Sequence, residues 1–432
     1  MTATARRVMP LVLPLLLAVA AAVGASSARA SHGIRYGIQD DAWLQFGAGT
    51  LDQRLATFKR LGVPLVRFTL HWNQIAARRP ANPASPRDPA YDWRAPDRIL
   101  RGLRRHGLTP VLTLLGTPPW ANGRRPPNFA PARPRYIRAF ARAAATRYPW
   151  VRYWLIWNEP NKPLWLRPTR ASIYVRHLLN PAYRAIHAVL PHARIGGGVT
   201  APRGGLGGVA PVAWIRGMAA ARARLDAYAH HPYPLRPTET PSSGGCRNCP
   251  SITMATLPKL LILVRRAFGA KPVWLTEYGY QTNPPDTFLG VSPRRQATLI
   301  SLAAMRAWRL ARVTMLIHYL YRDEPVLSRF QTGLVFADGR LKPSLQAFEL
   351  PFAEMRRVGF ETTVWGQVRG GRPGRKRYRL EVLRRNEWQP VGHDRLTNDS
   401  GIFIRRIRLK RGALLRIRVP PGKRFSLELR IR

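Results

Sequence analysis

Two carboxylates stand where short apolar runs end. Glu159 follows Tyr153-Trp154-Leu155-Ile156-Trp157-Asn158, and Glu277 follows Val273-Trp274-Leu275-Thr276. Acids are scarce, 22 Asp and Glu against 71 Lys and Arg in 432 residues, so their placement at the ends of hydrophobic runs is not a product of composition. Burial among aromatics raises a carboxyl pKa and a neighbouring cation lowers it. Two such groups in different surroundings can therefore hold different protonation states and divide acid, base and nucleophilic work. A single Glu after a strand is most often a helix cap or a surface residue. A pair, with Asn158 directly before the first, points to a site.

The elements that must position this pair follow a strand-then-helix rhythm from His32 to about Met355. Apolar, β-rich runs cover 34–38, 64–69, 110–115, 152–157, 194–199, 225–230, 272–276 and 313–317. Helical periodicity covers 51–61, 96–106, 135–147, 173–190, 212–224, 254–268, 294–310 and 344–355. Ser292-Pro293 opens the seventh helix, and Gly107 and Gly269 close the second and sixth. Eight βα units in roughly 325 residues predict an α/β fold, a (β/α)8 TIM barrel with enlarged loops. In such a barrel chemistry belongs at the carboxyl ends of strands, where Glu159 and Glu277 lie. A doubly wound open sheet would need a Gly-rich phosphate turn, and neither 196–198 nor 204–208 has the G-x-G-x-x-G spacing. Beyond Val358 short alternating runs, Tyr378 to Val382 and Ile402 to Ile404 among them, predict five to seven strands in a small C-terminal antiparallel β-sandwich. The expected boundaries are 1–30, 31–357 and 358–432.

With these residues in place, the sequence resembles the clan A retaining glycoside hydrolases, barrels of the cellulase-like family 5 and xylosidase-like family 39 type. Trp157-Asn158-Glu159-Pro160 is similar to the clan's strand-four motif, whose Glu is the general acid/base. Leu275-Thr276-Glu277-Tyr278-Gly279 is similar to its strand-seven motif, whose Glu is the nucleophile. Arg67 in Val66-Arg67-Phe68-Thr69 resembles the strand-two Arg that orients the nucleophile. Thr117-Pro118-Pro119-Trp120-Ala121 resembles the loop after strand three, and His230-His231-Pro232-Tyr233-Pro234 the strand-six segment. Gly333 to Phe336 with Lys342-Pro343 resembles the exit from strand eight. The chain departs from the pattern at Ile317-His318-Tyr319-Leu320-Tyr321, which lacks the Trp many members use as a sugar platform; Tyr319 and Tyr321 are the substitutes at hand.

The resemblance implies retaining hydrolysis of β-glycosidic bonds in an oligo- or polysaccharide, with catalytic Glu159 and Glu277 and substrate-binding Asn158, Arg67, His231, Tyr233, Trp120 and Tyr319. Arg67 and Tyr233 would keep Glu277 ionised, Asn158 would face the sugar 2-hydroxyl, and His231 would orient rather than act as base. Trp72, Trp157 and Trp165 join Trp120 as candidates for stacking on sugar faces. The competing reading is a catalytically silent carbohydrate-binding barrel.

Arg6-Arg7, the apolar run from Val8 to Val23 and Ala28-Arg29-Ala30 have the order of a secretory signal peptide cut after Ala30. The expected location is therefore secreted and extracellular, with an uncleaved membrane anchor over Val8 to Ala25 as the alternative. In an exported chain Cys246 and Cys249 close a small loop most simply as a disulfide. A zinc site needs about four ligands, and no second Cys pair exists; no metal and no cofactor is expected. The net charge is +49, carried by 63 Arg and only 8 Lys, and residues 361–432 alone contribute +14. Hydrophobic content of 45% excludes a disordered basic tail. Nucleic acid is excluded as partner by the absence of a recognition motif and by export. An anionic polysaccharide or cell-wall surface is the partner class such a charge would attract.

Overall fold

The computed structural model describes residues 31, 33–371 and 374–432; the signal-peptide reading of 1–30 lies outside them. Eight parallel strands close a barrel in sequence order: β1 (Arg35–Gln39), β2 (Leu65–His71), β3 (Thr109–Leu115), β4 (Tyr153–Ile156), β5 (Arg194–Thr200), β6 (Ala227–His230), β7 (Val273–Leu275) and β8 (Val313–Tyr319). These are the strands that the apolar runs predict, within two residues at most ends. Their near-continuous hydrophobicity has a physical cause. Each strand is covered on one face by helices and on the other by the barrel interior, so both faces must be apolar.

Alternation along β2 sorts its residues. Val66, Phe68 and Leu70 join the large core beneath the helices, and Leu65 joins an interior layer with Val111, Leu155, Val199, Trp274, Met315 and Ile317. Arg67 and Thr69 share the face of Leu65 and so point inward, nearer the carboxyl end. Trp274 fills the interior because Gly196 faces it: a Cβ there would stand 2.8 Å from the Trp274 ring and 2.7 Å from Leu155. Two of the helix starts carry side-chain caps that the sequence shows, a capping box at Thr50 before Leu51–Arg60 and the Ser292 hydroxyl before Pro293–Trp308.

Two helices differ most from expectation. The one over 173–190 contains a π-helical turn, Tyr174–Leu179, between Ala171–Ile173 and Asn180–Val189. Pro181 follows that turn and has no N–H to continue a regular ladder. The helix over 344–355 stops at Glu349, before Pro351, and Phe352–Val358 forms strand β9 instead. It pairs antiparallel with β10 (Glu361–Gln367), which pairs with β14 (Ile402–Arg408). A second antiparallel sheet holds β11 (Arg377–Arg384), β12 (Glu387–Pro390), β13 (Arg395–Leu396), β15 (Leu414–Val419), β16 (Arg424–Phe425) and β17 (Leu429–Arg430). The sheets pack around Phe352, Val364, Leu380, Phe403 and Ile417, with Tyr378 stacked on Phe403. Arg369 fastens the sandwich to the barrel. It is buried, its guanidinium lies 4.2 Å from the Tyr36 ring centroid and 4.8 Å from that of Phe348, and Nη1 donates to Phe348 O at 2.7 Å. Burial pushes its pKa down to about 10.

Candidate active site

Arg67 is the hub of the barrel's carboxyl end. It is 1% exposed. Nε donates to Thr113 Oγ1 at 3.0 Å, Nη1 to Glu277 Oε1 at 2.5 Å and Thr276 O at 3.1 Å, and Nη2 to Asn158 Oδ1 at 2.8 Å. One guanidinium thus ties β2 to β3, to the end of β4 and to the end of β7. A buried Arg without such partners would be costly, and a buried carboxylate beside it more so.

Glu159 reaches the axis through an uncommon turn. Trp157 and Glu159 both have positive φ, 73° and 37°, which costs a residue with a Cβ and persists only where the surroundings fix it. The fixing bonds are Trp157 N–H to Leu114 O and Glu159 N–H to Val199 O, each 2.9 Å. The turn also presents Asn158, whose Oδ1 is held by Arg67 and whose Nδ2 is thereby turned the other way.

The two carboxylates and the buried ring of His231 form one cluster, with one ligand-capable atom from each lying within 4.8 Å of the other two. His231 Nδ1 is 3.2 Å from Glu159 Oε1 and 3.5 Å from Glu277 Oε2. Its Nε2 is 3.1 Å from Thr276 Oγ1 and 3.4 Å from Arg67 Nη1. Burial pushes its pKa down to about 3, against the pull of Glu277. A neutral ring with acceptors at Nδ1 and a cationic donor near Nε2 carries its proton on Nδ1. His231 therefore donates toward the carboxylates and is no base.

The surroundings of the two acids differ. Burial raises the pKa of Glu159, while Lys162 at 3.9 Å, Arg67 and the Trp165 side chain lower it. Glu277 receives Arg67 on one oxygen and the Tyr233 hydroxyl, at 3.1 Å, on the other. Three acid-and-imidazole ligands within 4.8 Å also have the donor set of a cation site, but Arg67 and Lys162 already neutralise it, and no metal is assigned.

Tyr319 ends β8, where burial and then the charge of Glu277 raise its hydroxyl pKa well above the usual value. Tyr321 lies elsewhere, packed on Trp43 at 4.2 Å and on Phe58. Trp120 is tied by Nε1 to Ala76 O at 2.7 Å, between Trp72 and Tyr136. Trp72 and Trp157 are wholly buried, the first stacked 5.4 Å from Phe140, the second donating to Trp165 O, so neither presents a face to a ligand. Trp165 reaches the carboxylate of Glu159 instead. Cys246 and Cys249 form a disulfide in the loop after β6. The sequence reading did not anticipate Thr113, Thr276 or Lys162. Asp41, Thr69 and Gln39, in a cluster with His71 at the ends of β1 and β2, were also unanticipated; Gln39 stands in register with Arg67 and Tyr319.

The chain shares its fold with solved glycoside hydrolases. It superposes on a family 39 glycoside hydrolase from the gut symbiont Bacteroides cellulosilyticus WH2 with a TM-score of 0.57 and 17% identity, covering 87% of this chain and 79% of that one. A monomeric beta-xylosidase from Caulobacter crescentus CB15 gives 0.55 and 16%, covering 94% and 98%. The family 39 enzyme from Xanthomonas axonopodis pv. citri gives 0.56 and 15%, covering 90% and 95%. No protein-family model matches the sequence, and no curated protein matches it. Among the described residues no helix is long and apolar enough to cross a membrane.

Proposed function

We propose that the chain is a secreted retaining β-glycosidase acting on an oligo- or polysaccharide by double displacement. The observation that carries this reading is the separation of the two carboxylates. An oxygen of Glu159 and one of Glu277 lie within 4.8 Å, close to the ~5–5.5 Å of retaining enzymes and short of the ~6.5–9.5 Å that would admit a water between them. The solved structures that share its fold, two family 39 enzymes and a beta-xylosidase, support the substrate class.

In the first step a Glu277 oxygen bonds to the anomeric carbon while the bond from that carbon to the leaving oxygen breaks, and Glu159 gives its proton to that oxygen. In the second, Glu159 takes a proton from water, the water oxygen bonds to the anomeric carbon, and the ester bond to Glu277 breaks. Burial raises the pKa of Glu159 and so favours the proton it gives in the first step. Esterification of Glu277 removes a negative charge beside it, so its pKa falls for the second. Asn158 Nδ2, aimed away from Arg67, donates to the sugar 2-hydroxyl. The N-terminal charge, apolar run and A-x-A order support export.

Turnover of aryl β-glycosides tests the reading. Wild type hydrolyses at least one, and Glu277→Ala does not; a wild type silent on a broad glycoside and glycan panel would overturn it in favour of a binding barrel.

A further inference from the structure

The segment leaving β8 carries an aromatic side chain that nothing above uses. The ring of Phe330 stands edge-on to Tyr319, centroids 5.1 Å apart and planes at 87°, and 5.6 Å from the ring of Tyr233. Tyr233 donates to Glu277, and the charge of Glu277 acts on Tyr319. The three rings thus form a wall on one side of that carboxylate. Phe330 is its outermost part, 37% exposed, whereas Tyr233 and Tyr319 are more covered.

Its position is fixed. Phe330 N–H donates to Glu324 Oε2 at 3.0 Å and Glu324 N–H to Phe330 O at 3.1 Å. The next residue, Gln331, is buried; its Nε2 donates to Glu324 O and Val326 O, each at 3.1 Å, and its N–H to Gln281 Oε1 at 2.5 Å. A Phe ring has no polar atom to hold it in water. Left open beside a reaction centre on a pinned backbone, it gains by being covered with an apolar surface. The C–H face of a pyranose is such a surface, and its slightly positive hydrogens suit the negative face of the ring.

We propose that Phe330 is the platform against which the sugar ring at the point of cleavage lies, supplied from a loop because strand eight ends in Tyr319 rather than Trp. This rests on the glycosidase reading. The part of Phe330 is binding, so its signature is aromatic rather than merely apolar.

The test compares Phe330→Ala, Phe330→Leu and Phe330→Trp in the full chain. Turnover is followed on 4-nitrophenyl β-glycosides, and binding on their 1-thio counterparts, which are not hydrolysed. Phe330→Ala and Phe330→Leu each lose about tenfold in kcat/KM and in thioglycoside affinity, mostly through KM, and Phe330→Trp recovers most of it. The pH profile of kcat/KM stays that of wild type, because the bond from Tyr233 to Glu277 is intact. Full recovery by Leu, no loss in either variant, or a displaced acidic limb in Phe330→Leu would overturn the platform. Should Phe330→Ala fail to fold, the contrast of Leu with Trp decides. Should wild type hydrolyse no glycoside, the glycosidase reading falls and thioglycoside binding judges Phe330 alone; no binding, or equal binding by all variants, overturns it.

Discussion

The ends of β4 and β7 present the same side chain in opposite settings. At β7, Glu277 follows an ordinary strand end and meets an Arg67 guanidinium and a Tyr233 hydroxyl. At β4, Glu159 itself has positive φ, as does Trp157 two residues before it, and it meets the neutral ring of His231 and the longer contact with Lys162. Glu277 receives a direct donor on each oxygen. At Glu159 burial outweighs the contacts from Lys162, Arg67 and Trp165, so the proton is favoured. On the proposed assignment, what sets the nucleophile apart from the acid is the direct bond from Arg67, which Glu277 receives and Glu159 does not.

The comparison can be broken from either side. Glu277→Ala removes the attacking oxygen and lowers kcat by at least about 10⁴-fold on every substrate, as single-turnover and steady-state rates would both register. Glu159→Gln costs about 10²–10⁴-fold on glycosides with poor leaving groups. With 2,4-dinitrophenolate leaving, which needs no proton, its loss is far smaller; equal losses on both would contradict the assignment. Arg67→Met strands a buried carboxylate and is expected to cost about 3–5 kcal/mol in denaturant-unfolding free energy. Tyr233→Phe removes a single donor and lowers kcat/KM about tenfold.

The smallest effect sharpens the Glu159 side. Its pKa is raised, and activity needs the proton, so kcat/KM falls as pH rises through that raised value. Lys162 lowers it. Lys162→Met therefore moves the basic limb upward, by an amount kept small because the lysine is partly exposed. A downward move would contradict the sign.

The barrel was legible because its strands must be apolar on both faces, and β4 and β7 ended where Trp157 and Thr276 suggested. The end of the last helix was misread although Pro351 stood in the sequence as a stop signal. Arg67, Glu159 and Glu277 were legible as charged residues inside or directly after apolar runs. Thr113 and Thr276 were not, because their part depends on which strands lie side by side, and neither was Phe330, which a loop brings back to β8. Trp72 and Trp157 misled for a plain reason: an aromatic at a strand end can turn toward the helices as readily as toward the mouth, and these two turned inward. The +49 charge said little about the site, where the cations are already spoken for by carboxylates.

The account's central claim is that the carboxylates are close enough for Glu277 to attack the sugar itself. Proton NMR of the first anomer released from an aryl β-glycoside, read before mutarotation, tests it most directly. The account predicts the β-anomer; an α-anomer would mean that water attacks first, and would contradict it.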